Sequence, residues 1–89
     1  MWLEITPEDI ARAEAESETA WISTICPTAQ ALKRLYPGEE VSVGSYLATV
    51  GDKTFVFHDG LVEQVNEWTC LCRFKAGQYE IEEEVETAP

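Results

Sequence analysis

The chain has 89 residues, 45% of them apolar and 10% aromatic, and a formal net charge of -11 from 6 Lys/Arg against 17 Asp/Glu. That length holds one hydrophobic core and no second, and the composition is too apolar and aromatic for a disordered segment. No apolar run approaches the ~20 residues needed to cross a bilayer, and so few bases cannot neutralise a phosphate track.

Trp2-Leu3-Glu4-Ile5 reads as a short opening strand. Thr6-Pro7-Glu8-Asp9 is then a helix start. Thr6 suits the N-cap, Pro7 the first helical position, and the two acids face the positive end of the helix dipole. This helix runs through Ile10, Ala11, Ala13 and Ala15 to about Ser17, and its acids Glu14, Glu16 and Glu18 cannot share one stripe. Residues 19–25 read as a linker or short turn. Cys26-Pro27 opens a second helix, with Ala29, Leu32, Leu35 and Tyr36 near one face and Lys33 and Arg34 pointing out. Tyr36-Pro37-Gly38 ends it.

Val41 to Val50 reads as one strand, with Val41, Val43 and Leu47 on one face and Tyr46, Ala48 and Val50 on the other. Gly51-Asp52 suits a two-residue type II′ hairpin turn, and Lys53 to His58 forms the return strand, with Phe55 and Phe57 sharing a face. Asp59-Gly60 is expected to cap a third helix carrying Leu61, Val62, Val65, Trp68, Thr69 and Cys72, ending near Phe74 before the break at Gly77. Gln78 to Glu86 closes the chain as a strand, with Tyr79, Ile81 and Val85 inward and Glu80, Glu82, Glu84 and Glu86 outward. The expected architecture is a single α+β domain over residues 1–89, three helices packed on an antiparallel sheet in the order β-α-α-β-β-α-β. Leu32, Phe55, Phe57, Leu61, Val65 and Trp68 are its expected core.

The charge is concentrated at the ends. Residues 1–18 hold six acids against one base, residues 77–89 hold five against none, and the middle of the chain is nearly neutral. Such a field repels nucleic acid and anionic membrane and attracts basic surfaces over about 8 Å at physiological salt. On a strand, Glu80, Glu82, Glu84 and Glu86 would stand ~6.6 to 6.8 Å apart. That row is sparser than duplex DNA, with its one charge per ~1.7 Å. The plainer reading is a solvated edge strand protected against aggregation.

Little points to catalysis. His58, the only histidine, adjoins Asp59, but neighbours on a strand point to opposite faces, and no glycine-rich phosphate loop exists. Cys26, Cys70 and Cys72 are odd in number, and the Cys70-x-Cys72 spacing is not that of zinc ribbons or redox motifs. No enzyme, metal or cofactor is expected. The thiols are expected to be reduced, as in an intracellular compartment, and the Met1-Trp2-Leu3-Glu4 start lacks the basic region of a signal peptide.

Three stretches carry a resemblance. Ile5-Thr-Pro-Glu-Asp-Ile10, Cys26-Pro-Thr-Ala-Gln-Ala-Leu-Lys-Arg34 and Val41-Ser-Val43, with the Arg73-Phe74-Lys75-Ala76-Gly77 turn before the closing strand, resemble short phage and prophage proteins of a Cys-Pro-x-Ala-x-Ala-Leu type. The Glu-rich tail departs from that pattern. The resemblance implies a phage origin, a host-cytoplasmic setting and a compact α+β fold, and supplies no catalytic residue. Small acidic phage proteins include anti-CRISPR proteins and other DNA mimics. The expected function is therefore inhibition of a bacterial defence complex, CRISPR-Cas foremost, by binding a Lys/Arg-rich surface that handles nucleic acid. Glu80, Glu82, Glu84 and Glu86 are the main expected contacts, joined by Glu14, Glu16 and Glu18. The protein would act as a monomer or small homo-oligomer and touch neither nucleic acid nor membrane directly. The alternatives are a phage assembly accessory whose acidity serves solubility, and a module that sequesters a nucleotide signal. The negative field opposes the latter.

Overall fold

A computed structural model describes residues 1–16 and 26–84. The chain runs through β1 (Trp2–Ile5), α1 (Pro7–Glu16), α2 (Pro27–Leu35), β2 (Val41–Val43), β3 (Leu47–Val50), β4 (Lys53–Phe57), α3 (Asp59–Leu71) and β5 (Gly77–Glu83). The strands form one sheet in the order β1-β5-β4-β3-β2, antiparallel at every pairing. The α+β class and the expected order of elements hold, with one division. The expected strand 41–50 is two strands.

Strand alternation decides what faces the helices. Leu3, Ile5, Val41, Val43, Ala48, Val50, Phe55, Phe57 and Ile81 share one side of the sheet through the pairings and are all buried. α2 contacts both edge strands, β1 and β2, so the sheet curls around it, while α3 lies against β4 and β5. Leu32 of α2 and Leu61, Val65 and Trp68 of α3 complete the core, and all six residues expected in it are buried. Tyr36, just past α2, sets its ring 5.8 Å from that of Phe55 and carries Lys53 Nζ 5.4 Å from its own centroid.

The division of 41–50 reverses the side-chain assignments of Leu47, Ala48 and Val50. The Gly44 N–H donates to the Leu47 carbonyl at 2.7 Å and closes a tight turn at Ser45-Tyr46. Paired residues share a face, and Val43 pairs with Ala48, so Val41, Val43, Ala48 and Val50 all point inward. Leu47 points outward instead of lying with Val41 and Val43. The inward apolar positions shift from odd (Val41, Val43) to even (Ala48, Val50) across Gly44-Ser45, a change of phase that a reading of 41–50 as one strand passes over.

The helix ends also differ from expectation. α1 starts as expected, with a reciprocal cap. The Asp9 N–H donates to Thr6 Oγ1 at 3.2 Å and the Thr6 N–H to Asp9 Oδ2 at 3.0 Å. α3 begins after His58 with no side-chain cap, so Asp59 is its first helical residue, not its N-cap. It ends at Leu71, three residues short of Phe74, because Cys72 turns left-handed (φ 54°, ψ 36°) and its N–H reaches the Glu67 and Trp68 carbonyls. Gly77, expected to break this helix, instead opens β5. Thr69 and Cys72, expected on the core stripe, are exposed, as is Leu35 at the end of α2. Arg34, expected to point into water, reaches back to α1 and β1, where its Nη2 donates to the Glu4 carbonyl at 2.8 Å and to Asp9 Oδ2 at 3.1 Å. The linker expected at 19–25 lies outside the described residues.

Candidate partner-binding face

With its helices on one side, the sheet leaves the other side uncovered by any described element. Alternation places Trp2 and Glu4 of β1, Gln78, Glu80 and Glu82 of β5, Thr54 and Val56 of β4, and Leu47 and Thr49 of β3 on this open face. Glu84 extends the row past β5, its N–H held by the Thr54 carbonyl at 2.8 Å. Glu4, Glu80, Glu82 and Glu84 thus share one surface. Among the described residues on this face there is no lysine or arginine.

The row lies on an edge for part of its length. β5 pairs with β1 over Gly77–Glu80, with Trp2 opposite Glu80 and Glu4 opposite Gln78, and with β4 over Ile81–Glu83, with Val56 opposite Glu82. The two flanks overlap only around Glu80 and Ile81, where His58 and Met1 extend the pairing. An edge strand needs charge to repel unwanted pairing, which accounts for Glu82 and Glu84 but not for Glu80, flanked on both sides.

His58 gives the face its detail. It follows β4 in register with Glu80, and its N–H donates to the Glu80 carbonyl at 3.2 Å. Its ring sits between two carboxylates, with Nδ1 3.6 Å from Glu80 Oε2 and Nε2 3.3 Å from Glu82 Oε1. Three neighbours in a line across three strands result, Trp2, Glu80 and His58. Glu80 was expected to be exposed with the rest of its row. It is half-buried.

The remaining expected contacts scatter. Glu14 is exposed on α1, and Glu16 accepts a hydrogen bond from the buried Gln30 Nε2 at 2.6 Å, so it serves the α1–α2 contact. Both belong to the helical layer and not to the open face. Glu18, Glu86 and Val85 lie outside the described residues. The Asp59 neighbour that made His58 look like an acid–base pair belongs to the first turn of α3. The glutamates that do approach His58 are more than twenty positions away in the chain. Only knowledge of which strand lies beside β4 reveals them.

Cys26 is buried at the start of α2, and burial pushes its thiol up despite the backbone N–H groups of Ala29 and Thr28. Cys70 and Cys72 are exposed. Among the described residues no group of three or more His, Cys, Asp and Glu side chains is arranged to hold a metal ion, and no helix is long and apolar enough to cross a membrane. No family model, curated protein or solved structure matches the chain. The functional reading therefore rests on its own residues.

Proposed function

We propose that this chain is an acidic protein-binding module, a DNA mimic of phage origin that lays its open sheet face on a Lys/Arg-rich surface built to handle nucleic acid. Its target would be a bacterial defence complex, CRISPR-Cas foremost, in the host cytoplasm. The observation that carries this reading is the row Glu4, Glu80, Glu82 and Glu84 on a face that no described element covers and that bears no lysine or arginine among the described residues. The paired strands fix the spacing of the backbone that bears the carboxylates before a partner arrives, which lowers the ordering that association requires. Complementary charge of this kind speeds encounter and discriminates among partners, and salt screens it.

The test is target-DNA binding by a panel of reconstituted CRISPR-Cas effector complexes, with and without the protein, at about 0.1 and about 0.5 M salt, where a phosphate-mimicking contact should weaken steeply. The wild-type protein is expected to block DNA binding at low salt, and the Glu80→Gln/Glu82→Gln/Glu84→Gln/Glu86→Gln variant to lose most of that effect while staying folded. If the variant inhibits as well as wild type and only precipitates more readily, the acidity serves solubility and the mimic reading fails.

A further inference from the structure

Among the described residues the open face carries one large exposed apolar aromatic, Trp2, and its position is specific. Trp2 is 62% exposed and lies directly opposite Glu80 in the β1–β5 pair. Cross-strand neighbours on one face have Cβ atoms about 4.5 to 5.5 Å apart, so the two side chains leave the sheet as immediate neighbours. On the other flank of Glu80 stands His58, so Glu80 lies between an aromatic position on β1 and a ring after β4 and still keeps 43% of its side chain in water. The cost of leaving an indole of this size in water calls for an explanation, because Trp is ordinarily largely buried.

We propose that Trp2 and Glu80 form a receptor for an arginine side chain of the basic partner. This rests on the reading of the open face as a docking surface and adds which cation it selects. An arginine guanidinium is planar and weakly hydrated, so it can stack on an indole while its edge donates to a carboxylate. A lysine ammonium is a compact, strongly hydrated point charge and gains less from the flat ring. The remaining carboxylates, Glu4, Glu82 and Glu84, attract both cations through charge. Trp2 supplies the discrimination, and aromatic anchors beside a charge are the usual centres of binding energy at interfaces.

The experiment titrates the full-length protein, labelled with nitrogen-15, with capped hexa-arginine and, separately, hexa-lysine peptides of equal charge. Hexa-arginine is expected to shift the Trp2 indole N–H signal and to bind about 5- to 10-fold more tightly than hexa-lysine, the ratio that a cation–π contact of ordinary strength yields. Trp2→Ala should bring the arginine peptide most of the way to the lysine affinity and leave the lysine peptide unchanged, and Trp2→Phe should keep part of the preference. Because Trp2 is exposed, unchanged amide spectra outside β1 and β5 will show that the variants remain folded. Equal binding of the two peptides by wild type, or equal losses for both in Trp2→Ala, would overturn the arginine receptor while leaving the acidic docking face intact. Binding of neither peptide would overturn both.

Discussion

Arg34, near the end of α2, donates from Nη2 to the Asp9 carboxylate at 3.1 Å, and that same carboxylate accepts the Thr6 N–H that closes the first turn of α1. One buried acid thus caps its own helix and ties it to the next. Asp9 is 1% exposed, whereas Arg34 keeps 41% of its side chain in water. Asp9→Asn retains a capping oxygen and removes the charge. It is expected to cost about 1 to 2 kcal/mol, a charged hydrogen bond discounted for the solvent around Arg34. Urea denaturation at neutral pH measures this, and a loss below about 0.3 kcal/mol would mean the pair contributes nothing.

The same carboxylate sets an acid limit. Burial alone pushes Asp9 up, but the hydrogen bonds from Arg34 and Thr6 and the Arg34 charge outweigh it and hold the group below its ordinary value of 3.8. A group depressed in the native state contributes stability that is complete above its unfolded value and is lost as pH falls through the lower native one. Wild type should therefore lose stability below about pH 4 more steeply than Asp9→Asn, and the two curves should converge in acid. Parallel curves from pH 7 to pH 2 would refute this.

Trp68 reports on the core. It is buried on the inward side of α3 together with Leu61 and Val65. Trp68→Ala empties a large aromatic site and is expected to cost about 3 to 5 kcal/mol. Thr69→Ala, one residue on but exposed, removes a hydroxyl bonded to the Val65 carbonyl within the helix and should stay within about 0.5 kcal/mol. Comparable losses in the two variants would place the helix in a different rotation.

The hairpin turn between β3 and β4 depends on glycine. Gly51 has φ +61°, whereas Asp52 does not adopt a positive φ, which is the type II′ pattern expected there. A Cβ at this position would also collide with the Glu39 carboxylate. Gly51→Ala is expected to cost about 1 to 2 kcal/mol through the strained backbone, and thermal unfolding will report it as a lowered Tm.

The three thiols should separate by burial. Cys70 and Cys72 are open to solvent, while Cys26 is enclosed and its thiol pushed up, and alkylation needs an accessible thiolate. Iodoacetamide on the native, reduced protein should add two groups by mass spectrometry, both in the 70–72 peptide, with the third appearing only in denaturant. Modification of Cys26 at the same rate as the others would contradict its burial.

Elements with a strong local signal were legible from sequence. Thr6-Pro7-Glu8-Asp9 announces a helix start that the structure builds as a reciprocal cap, and Gly51-Asp52 announces its turn, because the needed chemistry lies within four residues. What escaped depended on neighbours distant in the chain. Arg34 carries no local mark of its bond to Asp9, twenty-five positions away. The Ser45-Tyr46 turn leaves only a one-residue change of phase, from Val41 and Val43 to Ala48 and Val50, between two runs that each look like strand. Cys72 ends α3 in a conformation usually taken by glycine, so no residue type marks the stop. At the candidate site, alternation along β5 was enough to align Glu80 and Glu82. The strand order alone puts Trp2 and His58 on either side of Glu80.

The sheet order also has a consequence for how the chain comes together during synthesis. The first strand made has the last strand as its lateral neighbour, since β1 pairs with β5 and with no other strand. While residues beyond α3 are still in the ribosome, β2, β3 and β4 can zip as successive hairpins, but β1 has no lateral partner and β4 has one side open. Completion waits for a contact spanning nearly the whole chain, the kind of non-local pairing that slows folding. The strand bearing the acidic row is the keystone. A chain cut before Gly77 would lose its docking surface and the last course of its sheet in the same stroke, leaving two bare strand edges open to aggregation.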